Sequence, residues 1–139
     1  MSIPSLATPA CFPARFAALP DLLAAVRDGC RIAGLNDEAT QRVELVVEEA
    51  FSNSIAHGYG SETDQPIWLT CLALTDGLGI VYQDAAPPFD PLRDVRLPRT
   101  EHPGGIGHML IQTLPHRVAY SHENGRNTLR CEFPCTVAS

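Results

Sequence analysis

Apolar residues in the first part of the chain recur at the spacing of an amphipathic α-helix. In the segment 20–33 they fall on one face of such a helix: Leu22, Leu23, Val26, Cys30 and Ala33. Pro20 suits the first helical turn, and Gly34 suits the exit from the last turn. The pattern therefore predicts a helix over residues 20–33.

A second helical pattern follows almost at once. It starts after Asn36 or Asp37, because either side chain can cap the first turn of a helix. The pattern continues to about His57, and Gly58 suits its end. We therefore expect two consecutive helices.

Two later segments have the short alternating patterns of β-hairpins. The first pairs residues 66–75 with residues 80–84 around the turn sequence DGLG, and the second covers residues 116–133 with ENGRN as its turn. The segment 105–114 between them is predicted to be a helix that begins with glycines. Residues 1–13 are rich in proline and are expected to be irregular or a short edge strand.

The segment 85–104 contains five prolines and no periodicity. A structureless segment of this length inside one domain is typical of a functional lid or of disorder, and the pattern leaves both open. The order of elements predicts an α+β two-layer sandwich. We expect a mixed, mostly antiparallel sheet with three helices on one face.

Composition narrows the class of protein. The 139 residues suit a single domain with an ordered core at about 12–134. A net charge of −6 argues against direct binding of nucleic acid or an anionic membrane. No stretch is long and apolar enough to span a bilayer, and the N-terminus lacks the basic region of a signal peptide, so we expect a cytoplasmic protein.

The second predicted helix carries an unusual polar column. Glu49, Asn53 and His57 are four residues apart among apolar neighbours, whereas Glu48 belongs to the ordinary solvent face. The column is part of a broad exposed surface, or Asn53 caps a neighbouring loop, or the column forms the wall of a pocket. In a pocket, an amide oxygen can bind a hard cation such as Mg²⁺, and a carboxylate one turn away can take up a proton.

Two further segments are ambiguous when taken singly. Asp84 ends a predicted strand and is either a turn residue or an acceptor for an exocyclic amine. Gly104, Gly105 and Gly107 precede a predicted helix, whose N-terminal amides can bind an anion, although glycines also begin helices for steric reasons.

Taken together, four blocks resemble the histidine-kinase-like (GHKL, Bergerat-fold) ATPases, and in particular the anti-sigma-factor serine/threonine protein kinases of the RsbW type. The blocks are EEAFSNSIAHGY, DAAPPFDP, PGGIGHMLIQTL and AYSHENGRNTLRCEF, and the resemblance covers about residues 15–133. It implies ATP and Mg²⁺ as cofactors and residues 85–104 as an ATP lid.

The resemblance also implies residue roles. Asn53 matches the Mg²⁺ ligand, Glu49 the general base, and Asp84 the residue that reads the adenine amine. The remaining matches are the lid glycines that contact the phosphates and a polar residue near the adenine: Gly104, Gly105, Gly107 and Thr128. Ala86 departs from the family, which commonly has glycine there. Its methyl group either weakens nucleotide binding or is tolerated.

The function that the resemblance implies is an ATP- and Mg²⁺-dependent serine/threonine kinase. Its substrate would be a small STAS-type anti-anti-sigma protein in a partner-switching pathway, a sigma factor would compete with that protein, and the kinase would be a homodimer. The alternative is a non-catalytic module of the same fold that binds nucleotide or sequesters a partner.

Overall fold

The computed structural model describes residues 8–93 and 110–137. Its elements, in chain order, are β1 (Ala10–Ala14), a 3₁₀ turn (Phe16–Ala18), α1 (Leu19–Ala33), α2 (Asp37–Asn53), a π-helical turn (Ser54–Tyr59), β2 (Thr63–Leu74), β3 (Gly77–Asp84), β4 (Arg117–Glu123) and β5 (Arg126–Pro134). The five strands form one sheet in the order β1-β2-β3-β5-β4, and each neighbouring pair is antiparallel.

Helices cover one face of this sheet. Strand β3 turns Leu78, Ile80 and Tyr82 inward, where they join residues of α1 and α2 in one apolar cluster. Residues 110–113 are also helical, and Ile111 is fully buried in the same cluster. The prediction of an α+β two-layer sandwich with three helices on one face is therefore confirmed.

The first hairpin has longer strands and a tighter turn than its sequence suggested. Thr75 and Asp76 alone connect β2 to β3, so Gly77 and Gly79 belong to the strand. A Cβ atom on Gly77 would lie 2.1 Å from the carbonyl oxygen of Phe133. Gly77 is therefore required for the close approach of β3 to β5, and the prediction of a turn at DGLG was too broad.

The second hairpin turns at Asn124 and Gly125, whose φ angles are 54° and 76°. Positive φ at both central residues is the geometry of a two-residue type I′ turn, which Asn-Gly strongly favours. The predicted five-residue turn is therefore narrower, and Arg126 and Asn127 belong to β5.

Both helices begin as the sequence predicted. Pro20 lies in the first turn of α1, and Gly34 closes the helix with a φ of 86°. The Asn36 side chain caps α2 by accepting a hydrogen bond of 2.8 Å from the backbone N–H of Ala39.

The prediction that α2 continues to His57 as an α-helix was wrong for its last four residues. The α-helix ends at Asn53, and a π-helical turn continues to Tyr59 before Gly60 adopts a φ of 88°. Two side chains of this turn form hydrogen bonds at the end of β3. Ser54 Oγ donates to Asp84, and the Tyr59 hydroxyl accepts from the N–H of Ala85. Such wider turns are frequent at functional sites.

The predicted lid lies only partly within the described residues. Its first part, residues 85–93, contains no helix or strand, while residues 94–104 and the glycines Gly104, Gly105 and Gly107 lie outside. The lid boundaries and the single-domain organisation stay predictions. None of the helices in the described ranges is long and apolar enough to cross a membrane.

Candidate functional site

A narrow cavity lies where α2 and its π-helical turn meet the ends of β3 and β5. Its lining residues are Ala50, Asn53, Ser54, Gly58, Tyr82, Asp84, Phe89, Pro91, Tyr120, Asn127, Thr128 and Leu129. The cavity measures about 30 Å³, which is room for about one or two water molecules. The part of the cavity wall that belongs to the loop after β3 consists of Phe89 and Pro91.

Asp84 lies at the end of β3 and is buried in this cavity. Its Oδ1 accepts hydrogen bonds from Asn127 Nδ2 at 2.9 Å and from the N–H of Ala86 at 3.1 Å. Its Oδ2 accepts from Ser54 Oγ at 2.6 Å. A carboxylate has about four acceptor sites, so the observed bonds leave one on Oδ2 for a ligand donor such as an amine.

Ser54 links Asp84 to a buried tyrosine. Because the one Ser54 hydroxyl hydrogen is donated to Asp84, the 2.7 Å contact between Ser54 and Tyr82 must have the Tyr82 hydroxyl as donor. Burial raises the pKa of Tyr82 well above its usual value, so this hydroxyl keeps its proton. Ser54 was not among the site residues predicted from the sequence, although a polar residue beside Val47 and Ala50 on an apolar helix face was a usable signal.

Asn127, which was also not predicted from the sequence, is the residue of β5 whose side chain donates a hydrogen bond to Asp84. The strand register explains the difference from Thr128, because Asp84 pairs with Asn127 and Gln83 pairs with Thr128. Thr128 is fully buried and borders the cavity, but its hydroxyl accepts from Gln83 and donates to the carbonyl of Arg126. A single sequence does not reveal this register.

Asn53 lines the cavity from the last turn of α2. Its side chain is buried, with 6% of the residue exposed, and its Nδ2 has no hydrogen-bond partner in the described part of the chain. A buried amide without a partner is costly, so it indicates a site that a polar ligand completes.

Glu49 lies one turn before Asn53 and is partly buried. Burial, with a smaller contribution from the charge of Glu48, raises the pKa of its carboxyl group above the usual value. A raised carboxyl pKa suits a group that takes up a proton, although Glu49 is not among the residues that line the cavity.

His57, the third residue of the predicted column, is exposed. Its ring stacks on Phe89, with the ring centroids 5.5 Å apart and the planes 17° from parallel. The column therefore separates into a buried amide inside the cavity and an imidazole that contacts the loop over its mouth.

Ala86 is almost completely buried, and its methyl group points towards Gly58. A Cβ atom on Gly58 would lie 3.0 Å from the Ala86 Cβ and 3.6 Å from Asp84 Oδ2. Among the described non-glycine residues, only Asn124 has a positive φ, so the backbone at Ala86 does not require glycine. The extra methyl group is accommodated because residue 58 has no side chain.

The polar groups of the cavity match the exocyclic amine of a purine nucleotide and the oxygen ligands that a hard cation prefers. Asp84 retains one acceptor site for an exocyclic amine, and Ala50, Leu129 and Phe89 supply apolar wall. The Nδ2 of Asn53, which has no partner among the described residues, can donate to a polar ligand group at the same cavity, and an amide oxygen such as Asn53 Oδ1 is a ligand type that Mg²⁺ prefers.

Comparison with protein families decides the class of this chain. The family model described as "Histidine kinase-like ATPase domain" matches residues 12–133. The chain belongs to this family. The resemblance stated from the four sequence blocks is therefore confirmed.

Two proteins with similar sequences are named as a serine-protein kinase and as an anti-sigma factor. The chain is 26% identical over 113 residues to a protein named serine-protein kinase RsbW from Listeria monocytogenes serovar 1/2a, covering 73% of this chain and 70% of the relative. It is 30% identical over 83 residues to a protein named anti-sigma F factor from Oceanobacillus iheyensis, covering 56% of each chain.

Solved structures share the fold at low sequence identity. The RsbU and RsbW domains of Rv1364c from Mycobacterium tuberculosis match with a TM-score of 0.62 at 15% identity, covering 95% of this chain. This chain spans only 35% of that longer one. The catalytic domain of the histidine kinase ThkA matches with a TM-score of 0.55 at 11% identity, covering 94% of this chain and 99% of that one.

Proposed function

We propose that this protein is an ATP- and Mg²⁺-dependent serine/threonine protein kinase and anti-sigma-type regulator. The observation that carries the proposal is the pairing, around one cavity, of Asp84, which has a remaining acceptor site, with Asn53, whose buried Nδ2 has no partner among the described residues. The membership of the histidine kinase-like ATPase family and the name of the Listeria relative support the choice of ATP and of protein phosphorylation.

In this proposal, Asp84 accepts a hydrogen bond from the adenine amine, and the small residue Ala86 lets the ring lie against the backbone. Asn53 would hold Mg²⁺ through its Oδ1, and the ion would supply positive charge to neutralise the phosphates. The segment 85–104 is the lid, and the backbone N–H groups of Gly104, Gly105 and Gly107 contact the phosphates. Thr128 contributes to the adenine end through the buried strand position next to Asn127.

Glu49 is the general base. It takes the proton from a serine or threonine hydroxyl as the hydroxyl oxygen bonds to the γ-phosphorus, and the bond to the β–γ bridging oxygen breaks to release ADP. The raised pKa of Glu49 makes its carboxylate a better proton acceptor than an ordinary glutamate. Most of the rate enhancement would come from positioning and charge neutralisation.

The substrate we propose is a small STAS-type antagonist, with a sigma factor as its competitor for a cytoplasmic homodimer of this protein. The names of the relatives, serine-protein kinase RsbW and anti-sigma F factor, support a partner-switching role of this kind. The alternative is a module of the same fold that binds nucleotide or sequesters a partner without phosphorylating it.

Phosphoryl transfer tests the proposal directly. The wild-type protein is incubated with γ-labelled ATP, Mg²⁺ and the STAS-type proteins of the source genome, and labelled serine or threonine is mapped by mass spectrometry. We expect transfer to one of them. Glu49→Gln should lower the transfer rate at least ~100-fold while nucleotide affinity stays within about twofold, because a general base contributes at this level.

Glu48→Gln is the matched control, since it removes a neighbouring carboxylate of the same helix that is partly buried like Glu49 and does not line the cavity. Transfer by this variant should remain close to that of wild type. If the wild-type protein binds ATP and a STAS-type protein without transferring phosphate, the non-catalytic alternative replaces the kinase. Absence of ATP binding by calorimetry would overturn both the kinase and the nucleotide-binding module.

A further inference from the structure

The Asn127 side chain joins the sequence-distant segments that meet at the inner end of the cavity. Its Nδ2 donates to Asp84 Oδ1 at 2.9 Å, to the carbonyl of Pro87 at 2.9 Å and to the carbonyl of Ala86 at 3.1 Å. These acceptors belong to the end of β3 and to the first residues of the loop that follows it.

The other end of the same carboxamide is also fully engaged. Its Oδ1 accepts from the backbone N–H of Phe89 at 2.9 Å and from the hydroxyl of Tyr120 on the edge strand β4. Two hydrogens therefore serve three acceptors, and two lone pairs serve two donors. Asn127 is 7% exposed and has no hydrogen-bonding capacity left for a ligand.

The orientation of this amide is fixed by its partners. Backbone carbonyls can only accept and a backbone N–H can only donate, so exchanging the nitrogen and oxygen of Asn127 would place like groups opposite each other. Aspartate has the same shape but would turn an acceptor towards the acceptor atoms of Asp84, Ala86 and Pro87. The site therefore requires the donor of an asparagine at position 127.

We propose that Asn127 is a positioning residue that holds Asp84 so that its remaining acceptor site on Oδ2 meets the exocyclic amine of the purine. With Oδ1 held by Asn127 and by the N–H of Ala86, rotation of the carboxylate is blocked, and Oδ2 stays beside Ser54. Asn127 thereby sets the preference for a 6-amino purine over a 6-oxo purine. This inference rests on the proposed function.

The test compares two nucleotides that differ at the group in question. ATP has an amine at purine position 6, and inosine triphosphate (ITP) has a carbonyl oxygen there, which would face the Asp84 carboxylate. Dissociation constants for both, with Mg²⁺, are measured by calorimetry on the full chain. We expect wild type to prefer ATP by about tenfold or more, because a hydrogen bond to a charged group is worth at least that ratio.

Asn127→Asp and Asn127→Ala should each lower the ATP-to-ITP preference about tenfold, towards equal affinity. The aspartate variant should weaken ATP binding more than the alanine variant, since it adds a second carboxylate against Asp84. A purely structural role would weaken both nucleotides equally and leave the ratio unchanged. Asp84→Asn gives the reference for complete loss of the preference.

Gln83→Met is the matched control. It removes a side-chain hydrogen bond, of 3.1 Å to Thr128, from the neighbouring position of β3 without touching Asp84. Its ratio should equal that of wild type. Circular dichroism establishes that each variant is folded, and if the aspartate variant is not, the alanine variant supplies the same comparison.

The outcomes separate this inference from the proposed function. Folded Asn127 variants that retain the wild-type ratio overturn the positioning role while leaving ATP binding intact. Wild-type protein that binds neither nucleotide overturns the proposed function, and the role of Asn127 with it. A reduced ratio in both variants, with Gln83→Met unchanged, supports the inference.

Discussion

Glu49 illustrates, at the scale of a single residue, how a partly buried carboxylate can lower stability. Its carboxyl group is partly buried beside Glu48, and both features raise its pKa by penalising the charged form. Its folded-state pKa therefore lies above its unfolded-state pKa. Between these two values the folded protein binds more protons than the unfolded protein, so the free energy of unfolding falls as pH rises through that window.

We therefore predict that Glu49→Gln increases stability near neutral pH, where the wild-type carboxylate is charged. The difference should shrink as pH falls below the pKa of an ordinary glutamate, because the wild-type carboxyl group is then neutral in both states. Urea unfolding midpoints measured from pH 4 to 8 test this. Glu48→Gln should increase stability by a smaller amount. A Glu49→Gln protein that is less stable than wild type at pH 7 would contradict the raised pKa of Glu49.

At the scale of elements, the π-helical turn Ser54–Tyr59 connects the helix layer to the end of β3. Ser54 bonds Asp84, and Gly58 faces the methyl group of Ala86 at the start of the loop. Since Gly58 lies in a helical segment and has no positive φ, helix propensity alone would favour alanine there by about 1 kcal/mol. Packing against Ala86, in contrast, disfavours alanine at position 58.

We predict that the steric conflict with Ala86 outweighs the helix propensity of alanine at position 58. Gly58→Ala should destabilise the protein by about 1–3 kcal/mol, because its Cβ would lie 3.0 Å from the Ala86 Cβ. Ala86→Gly in the same protein should recover part of that loss. A double-mutant cycle from chemical unfolding gives the coupling between the two sites. Additive effects, or stabilisation by Gly58→Ala alone, would show that the two methyl groups do not compete.

At the scale of the whole molecule, the site is built from parts that lie far apart in sequence. Asn53 comes from the helix layer, Asp84 from the central strand and Asn127 from its neighbour in the sheet. A ligand that contacts all these elements binds only the folded chain, so it should raise the unfolding temperature by mass action.

We expect ATP with Mg²⁺ at about 100 times the dissociation constant to stabilise the fold by ~2.7 kcal/mol, which corresponds to a shift of roughly 10 °C for a domain of this size. Asn53→Ala should abolish the part of the shift that depends on Mg²⁺, measured as the difference between Mg²⁺ and EDTA. Scanning calorimetry measures both quantities. An unchanged Mg²⁺-dependent shift in Asn53→Ala would show that the cation binds elsewhere.

The sequence by itself determined the element order, because local periodicity, caps and turn residues act over a few neighbouring residues. Asn36 at the start of α2, Gly34 after α1 and Asn124-Gly125 between β4 and β5 are signals of this kind. The residues Asn53 and Asp84 could be selected in advance, since polar side chains in apolar surroundings are visible in the sequence and their blocks resemble a known family.

Tertiary structure alone decided which side chains reach those residues. Strand register pairs Asp84 with Asn127 and directs Thr128 to Gln83, and register depends on pairing between segments about 40 residues apart. The π-helical turn and the tolerance of Ala86 opposite Gly58 likewise arise from contact between the helix layer and β3. The sequence pattern of one segment does not specify which residues of other segments pack against it, so these features are visible only in the tertiary structure.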